Sequence, residues 1–216
     1  MHARVWALAW PVILSNLSVP LLGAVDTAMM GRLTRPSALG AVAIGALIFD
    51  FVYWGFGFLR MGTTGFAATA RGAGDADESR AALGRALGVG FGLGIALLVL
   101  QRPVEWMAFQ LVDGSAEVLE GARAYFNARI WAAPAVLMNY AVLGWLIGVQ
   151  RPGAALVLQL VMNGANTALD IYLVHYVGMA EAGVATASAI AQYAALAAAV
   201  PILYRTLGLE GGRWHL

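Results

Sequence analysis

Long apolar stretches recur along almost the whole chain, and they constrain its fold more than any other feature. Residues of the types AVILMFWYC make up 61% of the 216 residues and charged residues only 12%, whereas soluble domains carry about 25% charged residues. A helix that spans a bilayer needs about 20 mainly apolar residues. Charges and turn residues delimit six candidates, at 5–30, 38–62, 86–100, 130–149, 154–174 and 182–204. We therefore predict an all-α polytopic membrane protein with six transmembrane helices.

The segments between these helices are too short to form a soluble domain. The two longest, 71–85 and 101–123, are predicted as loops, and the second contains an interfacial helix on which Trp106, Met107 and Phe109 can face lipid. The third candidate helix contains the glycine-rich run "LGVGFGLGIALLVL", which favours close packing between helices. We expect residues 1–216 to form a single membrane domain.

Composition and motifs exclude several functional classes. The chain has no cysteine, so disulfides, thiolate catalysis and thiolate metal sites are excluded. A formal net charge of +1 gives no electrostatic basis for binding nucleic acid. The signatures HExxH, GxSxG and the nucleotide-binding P-loop do not occur in the sequence. We expect neither an enzyme nor transport driven by nucleotide hydrolysis.

The arginines predict the orientation, because cytoplasmic loops carry an excess of basic residues. With the N-terminus in the cytoplasm, seven arginines lie on the cytoplasmic side and four on the outer side. The cytoplasmic set is Arg4, Arg71, Arg80, Arg85, Arg151, Arg205 and Arg213, and the outer set is Arg32, Arg35, Arg102 and Arg123. Both termini are therefore predicted to be cytoplasmic.

Asp26 is an acid within the first predicted helix, where a charge costs roughly 2.5–3.5 kcal/mol near the bilayer centre. One interpretation is an interfacial acid paired with Arg32 or Arg35. The other, which we favour, is a functional carboxylate inside the membrane. Pro11 and Pro20 in the same helix each remove a backbone hydrogen bond and favour a kink.

Three polar residues follow one another on the fifth predicted helix, in the motif "MNGANTALD". Asn163, Asn166 and Asp170 are spaced three and four residues apart, so they share one helix face. Such a face cannot contact lipid cheaply and must face the bundle interior or a watery cavity. Two carboxylates in a low dielectric suit proton exchange, and the same oxygens suit Na⁺. The residues alone leave both ions possible.

Other intramembrane polar residues give weaker signals. Asp50 and Arg60 lie ten residues apart in the second predicted helix, too far to pair within it, and we expect Arg60 at its cytoplasmic end in a structural role. Asn139 and Tyr140 can either line a cavity or bond to a neighbouring helix.

Four stretches carry a resemblance to a known family. They are "PVILSNLSVPLLGAVDTAMMGRL", "FGFLRMGTTGFAATARGAGD", "RIWAAPAVLMNYAVLGWLIGVQ" and "NGANTALDIYLV". Together they resemble the multidrug and toxic compound extrusion (MATE) family, in particular its DinF-like bacterial branch. The resemblance implies antiport of organic, often cationic, compounds against H⁺ or Na⁺, with no other cofactor. It also implies a multi-pass protein of the bacterial inner membrane.

The resemblance assigns roles to individual residues. Asp26, Asn166, Asp170 and Ser188 correspond to the cation site of the N-terminal lobe, with possible Na⁺ binding at the first three. Pro11 corresponds to the position where the first helix bends. The substrate cavity is assigned to Asn139, Tyr140, Tyr125 and Asn163.

The chain departs from the family in length. Family members have twelve helices in two lobes, whereas this chain has six predicted helices. We expect its partners to be the lipid bilayer, small organic substrates, and either a C-terminal lobe or a second half-transporter.

Two other functions compete with this interpretation. A lipid-linked sugar flippase of the same superfamily is one alternative. An intramembrane aspartyl protease is another, since it needs two membrane carboxylates close enough to share a proton. That family carries a Gly-x-Gly-Asp signature, whereas Asp170 follows "TAL" here.

Overall fold

The fold is a bundle of helices, seen in a computed structural model that describes Trp10, Ile13 and residues 36–214. Every regular element in this part of the chain is helical. The α-helices are α1 (Pro36–Trp54), α2 (Gly57–Gly72), α3 (Ala76–Val99), α4 (Gln101–Gln110), α5 (Ala116–Arg129), α6 (Ala133–Gly148), α7 (Pro152–Asp170) and α8 (Glu181–Glu210). A 3₁₀ turn at Ile130–Ala132 joins α5 to α6, and a π-helical segment at Ile171–Tyr176 continues α7. The first predicted helix, 5–30, lies outside the described residues.

Five helical segments of the described part are long and apolar enough to cross a membrane. They are Ser37–Gly72, Ala76–Val99, Ala116–Gly148, Pro152–Tyr176 and Glu181–Glu210. Large apolar side chains cover the outside of the bundle; Trp54, for example, is 80% exposed and Phe51 is 73% exposed. An apolar outer surface of this extent needs lipid around it, so the predicted all-α membrane fold is confirmed.

The second predicted helix, 38–62, is longer in the structure, because α1 and α2 together reach Gly72 with a short interruption at Gly55 and Phe56. Beyond residue 62 the hydropathy falls, but α2 buries one face against α6. The Thr63 and Thr64 hydroxyls each donate to a carbonyl one turn earlier, which satisfies them within the helix. The expectation that Arg60 lies at the cytoplasmic end of this helix is therefore wrong, since the helical span continues beyond Arg60 to Gly72.

The predicted loop at 71–85 is mostly helix, and α3 begins ten residues before the predicted 86–100 segment. The Asp75 carboxylate caps α3 by accepting a 2.9 Å hydrogen bond from the Glu78 backbone N–H. Acidic residues in the first turn stabilise the helix further through its dipole. Only a tight turn separates α2 from α3, with Gly74 at φ 70°.

The segment 101–123 also contains more helix than predicted. α4 supplies the expected interfacial helix, on which Trp106 and Met107 are exposed. Phe109 is a correction, because it is buried and packs edge-on against Phe126. The fourth predicted helix, 130–149, begins at Ala116 in the structure, since Ser115 caps α5 and the 3₁₀ turn carries the chain directly into α6.

α6 lies at the centre of the bundle, and glycines allow two helices to approach it closely. On α3, a Cβ at Gly90 would lie 2.9 Å from Leu137 O, and a Cβ at Gly94 would lie 2.3 Å from Pro134 Cα. At the contact between α6 and α2, a Cβ at Gly144 of α6 would lie 2.5 Å from Arg60 O of α2. The expectation that the glycine-rich helix packs closely through small residues is confirmed.

α7 and α8 form a hairpin that completes the bundle. The π-helical segment extends the fifth span two residues past the predicted 154–174, and α8 extends the sixth from the predicted 204 to Glu210. Glu210 forms ion pairs with Arg71 and Arg151. Because Arg71 lies in the last turn of α2 and Arg151 directly precedes α7, Glu210 links three spans at one end of the bundle.

Candidate functional site

The acid and amide face of α7 points into the bundle. Asp170 has no exposed surface and Asn166 is 2% exposed. Asn166 Nδ2 donates a 2.8 Å hydrogen bond to Asp170 Oδ2. The predicted face thus forms a buried, hydrogen-bonded pair between an amide and a carboxylate inside a membrane span.

The backbone changes geometry immediately after this pair. α7 ends at Asp170 and the chain continues as a π-helical segment, Ile171–Tyr176. Single π turns inside α-helices widen the coil and occur frequently at functional sites. Asp170 therefore lies at the junction between regular and widened helix.

Ser188 lies on α8 at the same depth as Asp170. A Cβ at Gly183 would lie 3.4 Å from Val174 Cγ2, so these two residues face each other across the hairpin. Because α7 and α8 run antiparallel, the residues one turn further in are Asp170 on α7 and Ala187 on α8, next to Ser188 in the chain. Ser188 is 8% exposed, so it is buried inside the lobe.

Two predicted site residues lie outside the described part of the chain. They are Asp26, assigned as the second carboxylate, and Pro11, assigned as the hinge of the first helix. Their roles remain predictions.

Asn163 is the third polar residue on the α7 face. Its amide nitrogen and oxygen are both buried, and in the part of the chain that the structure describes neither has a hydrogen-bond partner. An unsatisfied buried amide costs about 1–3 kcal/mol. This cost is consistent with the predicted cavity role, in which a ligand would supply the missing bonds.

Asn139 bonds to a neighbouring helix. It is 5% exposed, and its Nδ2 donates 2.9 Å hydrogen bonds to the backbone O and the Oε1 of Gln192 on α8. Of the two uses that the sequence leaves open for Asn139, the structure shows the helix–helix bond.

The two predicted cavity tyrosines have different surroundings. Tyr125 is buried at the contact of α5 with α1, where a Cβ at Gly45 would lie 2.4 Å from its ring. Tyr140 is half-buried on α6. Tyr125 is thus packed between helices, whereas Tyr140 retains accessible surface.

Sequence reasoning missed a second polar cluster, formed by Asp50, Tyr53 and Arg129. Arg129 is within electrostatic range of Asp50, Tyr53 and Tyr140, so the four side chains lie in one region of the lobe. The sequence predicts Arg129 at the edge of the fourth helix. In the structure α5 continues into α6, so Arg129 lies within the combined span Ala116–Gly148. Ala122, Tyr125 and Phe126 are buried on one face of α5. Their helical spacing in the sequence indicates a helix that continues through residue 130, and this would have predicted the position of Arg129.

The donor set of the Asp170 pair suits a hard monovalent cation or a proton. It offers a carboxylate and an amide, and hard cations take oxygen ligands. Clusters of three or more His, Cys, Asp or Glu side chains do not occur among residues 36–214.

Comparison with known proteins identifies the family. The family model described as MatE matches residues 11–172. The "DNA damage-inducible protein F" of Escherichia coli (strain K12) is 42% identical over 206 residues, covering 95% of this chain and 45% of the relative. A "Probable multidrug resistance protein NorM" of Caulobacter vibrioides is 33% identical over 172 residues, covering 77% of this chain and 35% of the relative.

Solved structures show the same fold. A MATE protein in complex with MaD3S matches with a TM-score of 0.87 at 20% identity, over 97% of this chain and 47% of that one. An outward-facing multidrug resistance MATE transporter matches with a TM-score of 0.85 at 20% identity, over 94% of this chain and 45% of that one. The chain thus spans about half the length of the curated relatives that it matches. It belongs to the MatE family of membrane transporters, which are not enzymes, and it resembles the DinF-like branch of that family.

Proposed function

We propose that this chain forms the N-terminal lobe of a secondary active antiporter that exports organic, often cationic, compounds in exchange for H⁺ or Na⁺. The observation that carries the proposal is the buried Asp170–Asn166 pair on α7. A carboxylate without exposed surface in a membrane span is expensive unless it binds a partner or a proton. The multidrug resistance relatives support the choice of exported compounds.

The charge of the Asp170 carboxylate supplies the coupling. When it is ionised, it attracts H⁺, Na⁺ or a cationic compound, and binding of any one of them neutralises it. Asp26 shares this ion with Asp170, while Asn166 and Ser188 supply the remaining polar contacts. Ion and substrate then drive exchange when each binds better to a different conformation of the lobe.

The proposed transporter contains a second lobe in addition to this one. That lobe is either a C-terminal continuation of the polypeptide or a second half-transporter, and substrates cross the bacterial inner membrane between the two. Both termini of this lobe lie in the cytoplasm. The surrounding bilayer is the remaining partner.

Proteoliposomes carrying the complete transporter test the proposal. A proton or sodium gradient should drive accumulation of a fluorescent organic cation. Asp170→Asn and Asp26→Asn keep the side-chain volume but remove the charge, so we expect both to reduce gradient-driven accumulation at least tenfold, to background, with normal membrane insertion.

The matched control is Asp113→Asn, which makes the same change at an exposed carboxylate between α4 and α5. This variant should transport at the wild-type rate. Wild-type transport by the Asp170→Asn variant would show that the buried carboxylate is structural and that the proposed ion site is wrong.

A further inference from the structure

A groove runs along the outside of the lobe between α2 and α3. Its volume is about 440 Å³, within the range of ligand pockets, which is about 300–1,000 Å³. The floor consists of the buried residues Leu59, Thr63, Ala82 and Ala86. Exposed phenylalanines at positions 58 and 66 form one rim. Because the Thr63 hydroxyl donates to Leu59 O within its own helix, the floor is apolar and suits a hydrocarbon chain.

The groove has the length of one lipid leaflet. Its lining on α3 extends from Glu78 to Val89, a distance of about 16 Å at a rise of 1.5 Å per residue. One leaflet contributes about half of the 30 Å hydrocarbon core of a bilayer. An acyl chain that enters at the Glu78 end therefore reaches the middle of the membrane.

The same end of the groove carries an ion pair. Arg85 Nη2 donates to Glu78 Oε1, and both residues line the groove. α3 has 24 residues, about 36 Å of helix, so its first turn extends beyond a hydrocarbon core of about 30 Å. Glu78 lies in that turn, and the Arg85 side chain points back toward it, as side chains do along a helix. The pair therefore lies at the depth of lipid headgroups.

Both charged groups can take a second partner. Glu78 and Arg85 are exposed, and in the described part of the chain the guanidinium donates only through Nη2, which leaves most of its five N–H donors available. The neighbouring acids Asp75 and Asp77 accept hydrogen bonds from backbone N–H groups instead. A phosphate on Arg85 and an ammonium on Glu78 would each form charge-assisted hydrogen bonds. The phosphatidylethanolamine headgroup carries these two charges next to each other.

We propose that the groove between α2 and α3 binds one molecule of phosphatidylethanolamine, with an acyl chain along the groove, the phosphate on Arg85 and the ammonium on Glu78. An anionic phospholipid would place its phosphate beside the Glu78 carboxylate without a cation to offset the repulsion. Phosphatidylcholine has the same phosphate but no N–H group to donate. The site is separate from the Asp170 pair and does not depend on the proposed export function.

Native mass spectrometry of the full chain tests the site with three lipids that share their dioleoyl chains. The headgroups are phosphatidylethanolamine, phosphatidylcholine and phosphatidylglycerol. We expect the wild-type chain to bind its first phosphatidylethanolamine about fivefold more tightly than either of the others, the upper end for an ion pair near a surface. Glu78→Gln should remove the preference for phosphatidylethanolamine over phosphatidylcholine. Arg85→Gln should weaken both lipids alike, because they present the same phosphate.

A substitution at Gly62 tests the apolar part of the groove. Gly62 lines the groove, and a Cβ there would meet nothing within 4 Å, so Gly62→Leu fills the groove and leaves the helix contacts intact. This variant should bind phosphatidylethanolamine at least fivefold more weakly. Gly65→Leu is the matched control, because this exposed position on the same helix is also open and is not part of the groove lining. It should bind as the wild type does.

Three results would each overturn the proposal. They are equal binding of phosphatidylethanolamine and phosphatidylcholine by the wild-type chain, tighter binding of phosphatidylglycerol, and wild-type lipid binding by Gly62→Leu. A dimer in the mass spectrum that Gly62→Leu dissociates would assign the groove to a second copy of the chain, and would also refute the lipid site.

Discussion

Asn166 and Asp170 lie one helical turn apart on α7 and are joined by a 2.8 Å hydrogen bond in a region closed to solvent. Asn163, one turn earlier on the same face, is half-buried, and its amide nitrogen and oxygen are buried without a hydrogen-bond partner in the described part of the chain. Two asparagines on one helix face thus have opposite energetic roles.

Replacing each of them by leucine should separate these roles. Asn166→Leu removes a hydrogen bond to a carboxylate and should destabilise the protein by roughly 1–3 kcal/mol. Asn163→Leu removes an unsatisfied amide and should stabilise it by about 1 kcal/mol, while reducing transport if Asn163 contacts substrate. Unfolding midpoints in detergent measure both effects, and equal shifts in the same direction would contradict the assignment.

A second pair of substitutions tests the close helix contacts. Gly94→Ala places a methyl group 2.3 Å from Pro134 Cα, against backbone that cannot move aside, and should cost roughly 1–3 kcal/mol. Gly92→Ala is the matched control, because a Cβ there meets nothing within 4 Å. The control should be neutral or stabilising by up to about 1 kcal/mol, as expected for alanine in a helix. Similar unfolding midpoints for the two variants would refute the α3–α6 contact.

Ion pairing at Glu210 should contribute measurably to stability. This carboxylate is 15% exposed and pairs with Arg71 and Arg151, so Glu210→Gln should cost about 1 kcal/mol, at the upper end for ion pairs near a surface. Arg85→Gln breaks a more exposed pair with Glu78, with side chains 57% and 46% exposed, and should cost less. The difference should shrink at high salt, which screens charges; a difference that is insensitive to salt would exclude an electrostatic origin.

The orientation can be tested directly, because the chain has no native cysteine. Ala73→Cys lies in the turn between α2 and α3, and Asp113→Cys lies between α4 and α5; both positions are exposed. A membrane-impermeant maleimide should label Asp113→Cys in intact cells and Ala73→Cys only after permeabilisation. The reverse pattern would place the N-terminus outside.

The apolar runs predict the class of the fold because a bilayer imposes a length and a composition on each span. They predict helix ends poorly. The segments 76–85 and 116–129 are polar enough to look like loops, yet α3 and α5 include them because caps at Asp75 and Ser115 start both helices early. Hydropathy detects contact with lipid, whereas these segments are stabilised by capping and by contact with other helices.

The candidate ion site was predictable where polar residues share one helix. The spacing of Asn163, Asn166 and Asp170 shows their common face without any knowledge of the fold. The cluster of Tyr53 and Arg129 was not predictable in this way, because its members come from different helices. Only the register of α1 against α5 brings them to one level.

The glycine contacts around α6 determine how this lobe can change shape. Where backbones touch at Gly90, Gly94 and Gly144, no flexible side chain lies between the helices to repack, so sliding would cause collisions. We expect α2, α3 and α6 to move as one rigid body, and spin labels on α3 and α6 should keep a single distance distribution with either ion or substrate bound. The α7–α8 hairpin contacts α6 through side chains instead, among them the amides of Asn139 and Gln192. We therefore expect any shift of the α7–α8 hairpin against this rigid frame to break or exchange those two hydrogen bonds.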